Sequence, residues 1–106
     1  MHEYESELKI VAEWCRNHPL VKKAYFFGSR FKGLNREDSD FDIGVELNVG
    51  PHDSNLLSTW IFEGRDMRDD LQKLLTLKVD LQWYSNEEET PEMHKYLKEA
   101  SIVIYQ

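Results

Sequence analysis

The chain has 106 residues, a length that fits one domain and leaves no room for a second folded unit. Apolar residues make up 41% and charged residues 31%, enough for a packed core, so wholesale disorder is excluded. Thirteen Lys and Arg against 20 Asp and Glu give a net charge of −7, which argues against a protein that grips duplex nucleic acid by general phosphate neutralisation.

In chain order, the start Met1-His2-Glu3-Tyr4-Glu5 lacks a basic stretch followed by an apolar one, so no secretory leader is expected. Between Glu3 and Asn17, Tyr4, Leu8, Val11 and Cys15 recur at steps of three and four and predict a first helix, ending at Asn17-His18-Pro19. Its lone Cys15 has no partner for an internal disulfide and fits a core thiol. Ala24 to Phe27, short, aromatic and closed by Gly28, predicts a buried strand. The polar stretch from Ser29 to Ser39, with Gly33 inside it, has room for one or two helical turns and a loop. From Asp40 to Leu47 the alternation is clean: Phe41, Ile43, Val45 and Leu47 share one face, while Asp40, Asp42, Gly44 and Glu46 share the other.

After Gly50-Pro51, Ser54 is the expected cap of a long helix whose apolar stripe reads Leu57, Trp60, Ile61, Met67, Leu71, Leu74 and Leu75. Gly64 within it costs about 1 kcal/mol relative to Ala and weakens its continuity. Val79, Leu81 and Trp83 alternate with Asp80, Gln82 and Tyr84 as a third strand. Thr90-Pro91 opens a last helix, and Ile102 to Tyr105 closes the chain as a short strand. No apolar run reaches the length of a membrane span. Alternating helices and strands predict an α/β (α+β) domain, a small mixed sheet flanked by helices, and a soluble cytoplasmic protein is the default expectation.

The chemistry concentrates in Gly28-Ser29-Arg30-Phe31-Lys32-Gly33 and Ser39-Asp40-Phe41-Asp42. Asp40 and Asp42, two apart on a strand, project from one face about 6.6 Å apart along the chain. Paired hard carboxylates suit Mg²⁺, which takes oxygen donors and completes its shell with water and nucleotide phosphates. Two such ions stabilise the attacking and leaving oxygens of an in-line displacement at phosphorus. If the third strand neighbours the second, Asp80 joins them as a further ligand and as acceptor for the proton of an attacking hydroxyl. Gly28 and Ser29, where a strand runs into a turn, let backbone and hydroxyl donors approach a phosphate.

No Asp or Glu stands between Trp14 and Arg36, while Arg16, Lys22, Lys23, Arg30, Lys32 and Arg36 supply six positive charges. A triphosphate needs such a segment beside the metal-binding acids. A calcium loop starting at Asp38 fails, with Ile43 where Gly is required and Val49 where Glu is required. A P-loop from Gly28 fails too, because Leu34 and Asn35 stand where Lys and Ser or Thr belong. His2, His18, His52 and His94 have no metal-ligand spacing.

Gly-Ser, ten residues, then Asp-x-Asp, with Asp80 in Lys78-Val79-Asp80-Leu81, resembles the DNA polymerase beta nucleotidyltransferase superfamily. The closest branch is the minimal nucleotidyltransferases, many of which are antitoxin partners of helical HEPN-domain ribonucleases. The resemblance implies a polymerase-beta-like fold over nearly the whole chain. It implies nucleotide binding at Gly28, Ser29, Arg30 and Ser39, and catalysis and Mg²⁺ binding, two ions, at Asp40, Asp42 and Asp80. The expected reaction transfers AMP from ATP to a hydroxyl, a tyrosine of a HEPN-type toxin, through a homo- or hetero-oligomeric assembly. Phe31 and Asn35 depart from the small residues common in the family's turn. Two alternatives stay open: a non-catalytic antitoxin that acts by binding its toxin, and an enzyme acting on a small hydroxyl compound.

Overall fold

A computed structural model describes residues 3–106; His2 lies outside the described residues. Eight elements follow one another as α1 (Glu5–Arg16), β1 (Val21–Phe27), α2 (Gly28–Lys32), β2 (Phe41–Leu47), α3 (Leu56–Gln72), β3 (Val79–Tyr84), α4 (Pro91–Glu99) and β4 (Ser101–Tyr105). The strands form one mixed sheet in the order β3-β2-β1-β4. β1 runs antiparallel to both β2 and β4, whereas β2 and β3 are parallel. Parallel neighbours need a crossover long enough to carry the chain back across the sheet, and α3 supplies it.

One sheet face is covered by α1 and α3. There Val11, Trp14 and Cys15 of α1 and Met67 and Leu71 of α3 join Phe26, Phe41, Ile43 and Val45 in the main core. Tyr4, Phe26, Phe31 and Phe41 pack ring to ring within it, at centroid separations of 4.8–5.7 Å. The other face carries the acids and is covered only in part. A smaller cluster of Phe27, Tyr84 and Met93, flanked by Tyr25 and Leu97, seats α4 upon it.

Three local expectations are corrected. β1 starts at Val21, three residues before its apolar run, because Lys22 pairs with Glu46 at 3.5 Å and Lys23 sits over the Tyr25 ring while the backbone continues the ladder. The cap of α3 is Asn55 rather than Ser54, its side chain accepting from the Ser58 amide at 2.9 Å. The buried face of α3 is also rotated from the expected stripe. Leu57, Ile61 and Leu74 are exposed, while Leu56 and Trp60 pack on the core and Thr59, Gly64, Met67 and Leu71 are buried. The helix runs unbroken through Gly64, where a Cβ would meet the Trp60 ring at 2.8 Å. Among the described residues no helix is long and apolar enough to cross a membrane.

Candidate active site

At the end of β1 the chain turns into α2 through Gly28, whose φ of 85° lies in the left-handed region, open to glycine at little cost. A second demand falls on the same atom position. A Cβ on Gly28 would sit 2.0 Å from Asp42 Oδ2, so the absence of a side chain is what lets the Asp42 carboxylate lie against the turn. α2 lasts five residues and ends at Gly33, again left-handed with φ 74°.

β2 and β3 pair so that Asp42 lies directly opposite Asp80. The two carboxyls are close enough to share a proton, and Gln82, next on the same face of β3, donates to Asp80 Oδ1 at 2.9 Å. Partial burial, then the charge and hydrogen bond of Asp80, then the charge of Asp40 push the Asp42 carboxyl up from 3.8 to about 7. Like charges in one site hold a proton between them in this way. Asp40 stands just before β2 begins; it acts on Asp42 through its field and does not line the cavity. Among the described residues no three His, Cys, Asp or Glu side chains form a ready-made metal cluster. The donor chemistry nevertheless fits Mg²⁺. Two facing carboxylates with an unneutralised charge, beside a third acid, offer the hard oxygen donors that this cation takes.

Asp42 and Asp80 open into a cavity of about 490 Å³, lined also by Phe27, Gly28, Lys32, Gln82, Glu92, Met93 and Tyr96. That volume is in the range of small-molecule sites. Lys32 is the one cation among the described residues that lines it, and its ammonium is tied to Glu99 Oε1 at 2.5 Å.

Other expected ligands lie elsewhere. Arg30 does not face the cavity; it is 7% exposed and donates to the carbonyls of Ser39 at 2.9 Å and Glu37 at 3.0 Å and to the Tyr4 hydroxyl at 3.1 Å. Its charge fastens α2 to the loop that enters β2. Ser39 Oγ accepts from the Arg36 amide at 2.9 Å within that loop. Ser29 is half-buried in the first turn of α2, and its side chain is not part of the cavity wall. The basic run thus serves the scaffold as well as the site: Arg16 pairs with Glu13 and Lys22 with Glu46. Gln82, Glu92, Met93 and Tyr96 were not singled out by motif, because only the packing of α4 over the sheet brings that helix to the acids.

Comparison with known proteins follows the same lines. Residues 8–104 match the family described as Nucleotidyltransferase domain. Comparison with curated proteins gives no match. Among solved structures, one described as a toxin–antitoxin with AMP-PNP is 19% identical, with a TM-score of 0.62, covering 92% of this chain and 71% of that one. A second, a toxin–antitoxin MntA-HpeT mutant with two aspartates changed to glutamate, is 20% identical with a TM-score of 0.60 and the same coverage. At these identities the likeness is one of fold. With 97 of its 106 residues inside the family match, the chain belongs to the nucleotidyltransferase-domain family.

Proposed function

We propose that this chain is an Mg²⁺-dependent enzyme that transfers AMP from ATP to a hydroxyl acceptor, a tyrosine of a HEPN-type toxin for which it is the cytoplasmic antitoxin. The observation that carries the reading is Asp42 facing Asp80 across β2 and β3, inside the cavity that Gly28 and Lys32 also line. The acceptor oxygen bonds to the α-phosphorus as the bond from that phosphorus to the pyrophosphate oxygen breaks. The hydroxyl proton passes to Asp80 Oδ2, the oxygen that Gln82 leaves free. Gly28 and the Ser29 amide border the phosphates, and Lys32 exchanges Glu99 for a phosphate oxygen. Asp40, Asp42 and Asp80 would hold the magnesium, which when bound neutralises charge on the triphosphate. Positioning and charge stabilisation then supply most of the rate, as in phosphoryl transfer generally.

Support for the nucleotide comes from the family, and for the partner from two similar structures that are described as toxin–antitoxin assemblies, one of them with AMP-PNP. Incubating the chain with a HEPN-type partner, Mg²⁺ and α-labelled ATP should move label onto a partner tyrosine. Asp42→Asn and Asp80→Asn should each cut the transfer by about a hundredfold or more. An unlabelled partner, still neutralised equally by the wild-type and substituted proteins, would replace this reading with antitoxin action by binding alone.

A further inference from the structure

The cavity has two kinds of wall. Asp42, Asp80 and Gln82 from the sheet, with Gly28 and Lys32 at α2, account for phosphates and metal. The α4 wall of Glu92, Met93 and Tyr96 has no part in that chemistry. Tyr96 is 47% exposed and lines the cavity. The ring is nonetheless held: it lies nearly parallel to Phe27, with an interplanar angle of 11° and centroids 6.4 Å apart. Phe27 is itself buried against Tyr84 and Met93. Nearby, in the nucleotide-free chain, the Lys32–Glu99 bridge ties the end of α4 to α2.

Glu92 stands four residues before Tyr96 and so shares its helical face. A carboxylate there repels phosphate but accepts a hydrogen bond from a ring or exocyclic N–H, which both purines present. An anchored aromatic face next to such an acceptor matches the flat, N–H-bearing end of a nucleotide and not its anionic end.

We propose that Tyr96 is the base-binding platform of this cavity, stacking a purine ring and giving the chain a preference for purine nucleoside triphosphates. The inference rests on the nucleotidyl-transfer reading of the same cavity. Stacking of a base on an aromatic side chain is sequence-tolerant and scales with the ring's π-face, so the larger purine gains more than a pyrimidine.

Isothermal titration of the whole chain with Mg²⁺ and, separately, ATP, UTP and inorganic tripolyphosphate tests it. Wild type should bind ATP more tightly than UTP and about tenfold more tightly than tripolyphosphate. Tyr96→Leu, which keeps an apolar contact on Phe27, should lose about that tenfold for ATP and leave tripolyphosphate unchanged, and Tyr96→Phe should retain the ATP affinity. Equal binding of all three ligands by wild type, or unchanged ATP affinity in Tyr96→Leu, would overturn the platform while leaving the phosphate site standing. Parallel loss of ATP and tripolyphosphate in Tyr96→Leu would overturn it as well, by showing that the ring acts through the fold. Wild type that binds none of the three would overturn the nucleotidyl-transfer reading and the platform with it.

Discussion

Gly28 answers to two constraints that alanine breaks together, the left-handed φ and the 2.0 Å approach of Asp42 Oδ2 to where a Cβ would be. Gly28→Ala should therefore lower the unfolding free energy by about 1–3 kcal/mol for the backbone strain alone, read as a lower urea midpoint, and displace Asp42 from Asp80. The carboxyl pair also makes stability depend on pH. In the metal-free protein the folded-state pKa of Asp42 is raised to about 7 from 3.8, so between those values the folded chain holds a proton that the unfolded chain has released. The stabilising contribution is complete below about pH 4 and is lost as the pH rises through 7. Glu87 and Glu99, held low by hydrogen bonds from Lys98 and Lys32, act in the opposite sense at lower pH. The difference between wild type and Asp42→Asn across pH 4–7 isolates the pair, and urea melts showing parallel profiles for the two proteins would refute it. At this scale the sequence made Gly28, Asp42 and Asp80 legible, because local turn chemistry and alternation expose them. The turn of Arg30 toward the Ser39 and Glu37 carbonyls is not legible in the sequence, since a cation's identity does not tell which way its long side chain folds back.

Among the elements, the order and type of all eight follow from hydrophobic period, turn residues and caps; the bounds of β3 and the start of α4 stand as expected, and other boundaries move by up to three positions. The instructive departure is α3. Adjacent apolar residues at Leu56-Leu57 and Trp60-Ile61 permit two stripes, and periodicity alone does not choose between them. Packing chooses the face with Trp60, whose ring needs the bare backbone of Gly64 one turn on. Ile61 and Phe62 are left 67% and 70% exposed. Met67→Ala should then cost about 2–5 kcal/mol by opening a cavity in the main core, while Ile61→Ala should stay within about 0.5 kcal/mol. Comparable losses from both in denaturant titrations would mean that the helix faces the other way. The α4 wall of the cavity was invisible in the sequence for a related reason: Glu92, Met93 and Tyr96 read as an ordinary amphipathic helix, and their role depends on which sheet face receives it.

For the molecule as a whole, the sheet separates two cores of unequal size. Among the described residues, the main cluster under α1 and α3 joins sixteen buried residues, against three beneath α4. Elements held by few buried contacts open most readily. Amide hydrogen exchange should accordingly be faster in α4 than in β1 and β2, and Mg²⁺ with ATP should slow it, since ligand binding stabilises what it touches. Protection of α4 equal to that of the central strands in the free protein would contradict this ranking. The parallel register of β2 and β3 carries a consequence for synthesis. Asp42 leaves the ribosome 38 residues ahead of Asp80, and nothing but the completed crossover sets them face to face. A nascent chain lacks the facing pair of carboxylates until its third strand has emerged and docked, so on the proposed function the capacity to react appears only with a nearly finished fold.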